Sequence, residues 1–227
     1  MPDQLIKPVA ILRTPLGEKF GVPRQSGLAP DLKCRLEFFP EYSSREAFRE
    51  LEGFSHLWLI WGFSLVEPGK WRPTVRPPRL GGNKKVGVFA SRSPFRPNPL
   101  GLSCVRLERI GFSGGRAVLE VSGADLADGT PVYDVKPYIP YADSIPQAIG
   151  GWADSAPESG LSVSVPDSVA SRLSPEDLAA LREILAQDPR PPYQSDPQRV
   201  YTFGFAGLQI SFRVSGDSLT VLDQPEY

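Results

Sequence analysis

The sequence is poor in the residues that build the commonest enzymatic centres. Among 227 residues there are one histidine, one methionine and two cysteines, Cys34 and Cys104. The cysteines lie far apart and form no CxxC pair. With a single histidine they do not complete a standard four-ligand zinc site, so no metal is expected. No run of 18 apolar residues occurs, which argues against a transmembrane helix and a membrane partner. The N-terminal stretch MPDQLIKPVA lacks a basic-led apolar core, so no signal peptide is expected. Together these features favour a cytoplasmic protein with reduced thiols. Between a strand and a helix there is no GxSxG, no Walker loop and no GxGxxG, which makes a doubly wound nucleotide-binding fold improbable.

One further absence is local. Residues 68–107 contain no Asp or Glu, yet carry nine cations: Lys70, Arg72, Arg76, Arg79, Lys84, Lys85, Arg92, Arg96 and Arg106. The whole chain has a net charge of −1, so the rest of it is acidic. One basic face on an acidic protein holds a phosphate backbone without coating the whole surface in charge. Charge alone equally describes a solvated face with no ligand.

What is present reads as mainly β. With 41% hydrophobic residues the chain can bury a core. Strand-like stretches fall at residues 5–13, 56–63, 85–90, 100–110, 116–122 and 132–135, broken by Gly and Pro, as in a barrel or sandwich. A short helix is expected early, capped by Ser43 or Ser44 and carrying Ala47, Phe48 and Leu51. Residues 143–166 read as a linker. A clear helix follows, with Ser174 as N-cap, Pro175 at N1 and Asp177 at N3. Two or three strands then close the chain. The expected division is a barrel domain over residues 1–145 and a small α+β domain over residues 146–227.

The motifs are long. The chain reads Phe54-Ser-His-Leu-Trp-Leu-Ile-Trp61, Arg76-Pro-Pro-Arg-Leu-Gly-Gly82 and Gly87-Val-Phe-Ala-Ser-Arg-Ser-Pro-Phe-Arg-Pro-Asn-Pro-Leu-Gly101. It continues with Gly123-Ala-Asp-Leu-Ala-Asp-Gly-Thr-Pro131 and Asp134-Val-Lys-Pro-Tyr138. Together with Val22-Pro-Arg-Gln25 and Asp188-Pro-Arg-Pro-Pro-Tyr193, these resemble the TrmO (YaeB, TsaA-like) family over nearly the whole chain.

That resemblance implies a methyltransferase that uses S-adenosylmethionine (SAM) on N6 of threonylcarbamoyladenosine, next to the tRNA anticodon. It also implies a SAM-binding β-barrel and a homodimer. The family's cofactor site maps onto Gln25, Ser26, Gly27, His56, Leu57, Arg92, Leu102, Asp125, Leu126, Ala127 and Asp128. SAM carries a sulfonium, an ammonium, a carboxylate and an adenosine part. It therefore needs carboxylate acceptors, an arginine or backbone N–H donor, and apolar walls. Asp125 and Asp128 fit the first need; as turn residues before Gly129 they also fit plain turn hydrogen bonding. His56 reads either as a satisfied, partly buried residue or as a cofactor contact.

For tRNA, the expected contacts are Arg76, Arg79, Lys84, Arg96, Asn98, Lys136, Arg190 and Tyr193. Pro94 and Pro97 stiffen the loop that bears Arg92 and Arg96. Arg190 and Tyr193, in their proline loop, read as a tRNA contact or a clamp between domains. Tyr138 and Tyr141 suit base stacking or ordinary packing. Trp58 and Trp61 read as core. The transfer is expected to be a direct in-line displacement from sulfonium to nitrogen, with Asp128, Tyr138 or a partner-subunit group taking the proton. A non-catalytic RNA-binding barrel and a small-molecule methyltransferase are the alternatives.

Overall fold

The computed structural model describes residues 4–67, 69–155, 160–191, 194 and 196–223. Its first part contains β1 (Ala10–Arg13), β2 (Lys33–Phe38), β3 (His56–Gly62), β4 (Thr74–Val75), β5 (Val86–Gly87), β6 (Leu100–Ser113), β7 (Arg116–Ser122) and β8 (Pro131–Pro137). Six of these close a barrel in the order β1-β2-β7-β6-β3-β8, all antiparallel, with β8 returning to β1. β4 and β5 form a separate two-stranded hairpin.

The barrel follows from period-two patterning. Cys34, Leu36 and Phe38 of β2, Leu57, Leu59 and Trp61 of β3, and Ala117, Leu119 and Val121 of β7 point inward. Burial lifts the Cys34 thiol to about 11, so it behaves as a small hydrophobe. Trp58 has the other parity and corrects the expectation that both tryptophans are core. It lies on the outer face, against Tyr138, with its indole N–H donating to Asp143 Oδ2 at 3.0 Å.

Several other expectations shift. β2 lies outside the strands expected from sequence, although its burial alternates. The expected strand over residues 5–13 starts only at Ala10, and Leu5 and Ile6 are exposed. The expected early helix is instead two 3-10 turns, Arg45–Phe48 and Leu51–Gly53. Glu50 between them sits at φ 65°, in the left-handed region, which ends any continuous helix. The stretch over residues 85–90 is a strand only at β5, followed by a 3-10 turn at Val88–Ala90. Gly111 to Gly115 spells G-x-S-x-G, but it forms the β6–β7 hairpin rather than a strand-to-helix elbow.

The smaller α+β unit follows α1 (Pro140–Asp143). It comprises β9 (Ser162–Ser164), α2 (Asp167–Ala170), α3 (Pro175–Ala186), β10 (Tyr201–Phe205), β11 (Leu208–Ser215) and β12 (Ser218–Val221). The sheet order is β10-β11-β12-β9, with β9 parallel to β12. β9 and a 3-10 turn at Gly151–Ala153 thus occupy part of the expected linker. The α3 cap forms as expected: Ser174 Oγ accepts from Asp177 N at 3.0 Å, with Pro175 in the first turn. Ala180, Leu181, Ile184 and Leu185 form its buried face.

Barrel and smaller unit share one hydrophobic core. The β1–β2 connection is the seam. Phe20 stacks on Tyr201 and Phe212. Gly21 sits at φ +91°, where a Cβ would come 2.5 Å from the Phe203 ring, so only glycine lets the loop lie this close. No described helix is long and apolar enough to cross a membrane.

Candidate functional site

β7 ends at Ser122, paired with Arg106, while β6 runs back to Leu100. Residues 100–105 of β6 therefore have β3 on one side and no strand on the other. Two loops cover that open edge. Ser26 Oγ accepts from the Cys104 N–H at 3.3 Å, and Gly27 N donates to the Gly123 carbonyl at 2.8 Å. Backbone groups in an antiparallel strand alternate by two residues, so the N–H and C=O of Leu102 point the same way as those of Cys104, into this notch.

Asp125 stands at the notch behind a relay of buried polar groups. The Trp61 indole N–H donates to Ser103 Oγ at 2.9 Å, and the Ser103 hydroxyl donates to Asp125 Oδ1 at 2.5 Å. Gly101 makes room for the relay, because any Cβ there would overlap the Trp61 indole. Burial raises the Asp125 carboxyl above the ordinary value of 3.8, against the opposing pull of Ser103, Arg92 and the Ser26 N–H. Arg92 is exposed, and its guanidinium is held by Gln25 Oε1. A half-buried carboxylate beside a tethered, solvent-facing cation suits a zwitterionic ligand such as the amino-acid part of SAM.

The structure thus gathers Gln25, Ser26, Gly27, Arg92, Asp125 and the Leu102 backbone. The Leu102 side chain points the other way, 54% exposed on the outer face. Leu126 and Ala127 are buried, leaving only backbone groups for a ligand. Asp128 is turned away from this cluster: its Oδ1 accepts from Thr14 N at 3.1 Å and its Oδ2 pairs with Arg13 at 3.5 Å. These contacts tie Asp128 to the end of β1 rather than to its own turn. Leu57 lies in the barrel interior, fully buried. His56 is exposed on the outer face, with Nδ1 2.9 Å from Ser55 Oγ and its carbonyl accepting from Tyr138 N at 2.9 Å. Tyr138 packs between His56 and Trp58, while Tyr141 is 92% exposed.

The expected RNA residues divide. Arg76, Arg79 and Lys84 lie exposed in the connection between β4 and β5, and Arg79 donates to the Ala153 carbonyl at 3.2 Å. Asn98 is exposed, with its carbonyl accepting from Leu100 N. Lys136 pairs with Asp134 at 2.8 Å on the surface. Arg96 is half-buried and donates to the Ser91 and Ser93 carbonyls at 2.9 and 3.4 Å, so it shapes its own loop. Arg190 is engaged too: its Nε and Nη2 donate to the Asp188 carboxylate at 2.7 and 2.8 Å, and its side chain is only 15% exposed. Tyr193 lies outside the described residues.

The sequence places Trp71 to Ser103 on the candidate active-site surface but gives no individual role to Ser103, Phe89 or Trp71. Ser103 is fully buried, and the alternation of β6 placed it between the inward Gly101 and Val105 as a polar residue that needs partners. Phe89 and Trp71 stand 77% and 52% exposed beside the basic hairpin, offering ring faces to a base. Among the described residues no group of three or more His, Cys, Asp or Glu could hold a metal ion.

Comparison with known proteins follows the same division. The family model for the tRNA-methyltransferase O N-terminal domain matches residues 11–144, and that for the TrmO C-terminal domain matches residues 159–225. The chain is 42% identical to a tRNA (adenine(37)-N6)-methyltransferase of Escherichia coli (strain K12), covering 91% of this chain and 92% of the relative. It is 50% identical to a protein of the same name from Eikenella corrodens, over 71% of this chain and 91% of the relative. A crystal structure of TrmO from Pseudomonas aeruginosa superposes with a TM-score of 0.79 at 35% identity, covering 98% of both chains. With both domain models matched and the fold shared along its length, this chain belongs to the tRNA-methyltransferase O family.

Proposed function

We propose that this protein is a SAM-dependent tRNA methyltransferase acting on N6 of adenine 37, with threonylcarbamoyladenosine as the form of that base it modifies. The observation that carries the reading is the pairing of the Asp125 relay with the Gln25-held Arg92 at the open edge of β6. Family membership supports it, since relatives spanning most of this chain carry the name tRNA (adenine(37)-N6)-methyltransferase.

SAM would supply the methyl group from its sulfonium. The residues present fit it: Arg92 would take its carboxylate, Asp125 its ammonium or ribose hydroxyls, and the N–H and C=O of Leu102, with the backbone of residues 126–127, its adenosine part. The chain's own work is to align and to desolvate. The Trp61–Ser103–Asp125 relay fixes the acceptor before any ligand arrives, and the Gln25 contact fixes the donor. Methylation also requires the target nitrogen to lose its proton. Asp128 is left out of that role because Thr14 and Arg13 hold its carboxylate, which leaves Tyr138, or a group from the partner subunit, to test.

The hairpin cations Arg76, Arg79 and Lys84 would track tRNA phosphates, and Phe89 and Trp71 would stack on unpaired bases. Leu100, Leu102, Tyr141, Ile145 and Ile149 leave apolar side chains exposed, which supports a homodimer; a cytoplasmic location is part of the same reading because the proposed substrate is tRNA. The functional division we adopt is a barrel over residues 1–145 and a smaller domain over residues 146–227. The test is direct. Purified protein with SAM and tRNA bearing threonylcarbamoyladenosine adds one methyl to that nucleoside by mass spectrometry. Absence of the gain on fully modified tRNA contradicts the reading.

A further inference from the structure

The loop that presents Gln25, Ser26 and Gly27 has no regular secondary structure, so something outside it must fix its path. Both of its flanks are tied to one turn of the smaller domain. On the upstream side, Arg24 Nη2 donates to the carbonyls of Asp188 and Arg190 at 3.0 and 3.2 Å. On the downstream side, Gln187 Nε2 donates to the Leu28 carbonyl at 2.9 Å. Further along, Asp31 N donates to Glu183 Oε2 at 3.0 Å. For these four hydrogen bonds, made by residues 24–31, every partner in the smaller domain lies in the last turn of α3 or just after it.

The turn itself is built for this. Asp188 sits at φ 50°, the left-handed conformation that follows many helices and is usually left to glycine. Asp is one of the few other residues that adopts it at modest cost, and here its carbonyl accepts from Arg24. The Asp188 carboxylate is gripped by Arg190 through Nε, Nη2 and the backbone N–H. Burial opposes its ionisation, yet Arg190 and the nearby Arg24 outweigh that and hold the carboxyl below its usual value. Arg190 is thus an internal brace, with little of its guanidinium left for a phosphate.

We infer that the Gln187–Arg190 turn is a positioning element for the cofactor site, acting through Arg24 and Leu28 to hold Gln25 against Arg92. The inference rests on the reading of residues 25–27, Arg92 and Asp125 as the SAM site. It assigns the Asp188-Pro-Arg190 motif to cofactor binding rather than to tRNA contact.

The test uses the full-length protein, with SAM binding by titration calorimetry and steady-state kinetics on tRNA. Arg24→Ala should raise the Kd and KM for SAM about tenfold, because a lost hydrogen bond to a charged donor is worth that much. The kcat at saturating SAM and the KM for tRNA should stay within about twofold. Arg24→Lys, whose ammonium can still donate to both carbonyls, should recover most of the loss, which a mere packing role would not predict. Arg190→Ala should resemble Arg24→Ala. Gln187→Ala, which removes the downstream tie together with a bond to the Glu183 carbonyl inside α3, should raise the SAM Kd about threefold and covers the case in which Arg24→Ala melts early. The inference is overturned if Arg190→Ala raises the KM for tRNA with the SAM Kd unchanged, or if Arg24→Ala and Gln187→Ala both leave SAM binding intact. Arg92→Ala, measured alongside, separates the two levels. If it weakens SAM binding while Arg24→Ala does not, only the brace is wrong. If it does not, the site reading beneath it falls as well.

Discussion

The basic stretch between β3 and β6 contains two halves that look alike in charge and behave differently in space. In the β4–β5 hairpin, Arg76, Arg79, Lys84 and Lys85 stand exposed, with Phe89 and Trp71 beside them. In the loop leading into β6, Arg92 is tied to Gln25, and Arg96 is folded back on the Ser91 and Ser93 carbonyls. Cations left in water attract a polyanion at long range and give that attraction up to salt. Cations fixed among dipoles next to a half-buried carboxylate are suited to one small ligand at short range. On the proposed function, the same residue type would do two jobs, sorted by how much of the guanidinium the fold has already claimed.

The comparison is broken most severely at the relay. Asp125→Asn should cost on the order of 100-fold in SAM affinity, since a charge-assisted acceptor is lost in a partly desolvated site. Retention of wild-type affinity in calorimetry would remove Asp125 from the site. Gly101→Ala comes next. Its Cβ would overlap the Trp61 indole, so the variant should be destabilised by about 1–3 kcal/mol in denaturant unfolding. It should also bind SAM more weakly, because Trp61 positions Ser103.

A pH titration sharpens the same point. Burial places the Asp125 carboxyl above 3.8, so the folded protein holds that proton more tightly than the unfolded chain. Ionising it therefore subtracts stability as pH rises from 3.8 through the raised value. Over the same window SAM affinity should be gained, because the ionised carboxylate is the acceptor. On acidification, affinity should fall at a higher pH than an ordinary aspartate would give, and Asp125→Asn should flatten that inflection. The smallest effect belongs to the hairpin. Arg76→Ala or Lys84→Ala should weaken tRNA binding several-fold, lower the salt slope by about one each, and leave SAM binding alone.

Much of the fold was legible because its signals are local. The β6–β7 hairpin, the α3 cap and the three terminal strands each declare themselves through alternation, a capping pattern or a turn. The early helix misled because Phe48 and Leu51 have helical spacing, whereas Glu50 in the left-handed region breaks the turn between them. The proposed cofactor residues Gln25, Arg92 and Asp125 rest on motif resemblance rather than on periodicity, and only the fold brings them together. Asp128 and Arg190 show why the rest was not legible. Each is a charged residue in a long motif, and sequence does not reveal that Thr14 and Arg13, or Asp188, already hold it. Ser103 was hidden for the opposite reason: a serine in a strand looks ordinary until the register turns it inward beneath Trp61.

The division of labour within the basic stretch is tested most directly by measuring SAM and tRNA binding for Arg92→Ala and Arg76→Ala side by side. The structure predicts a crossed result: Arg92→Ala loses SAM affinity by tenfold or more, and Arg76→Ala loses tRNA affinity alone with a shallower salt slope. Two variants that weaken tRNA equally and leave SAM binding untouched would contradict it.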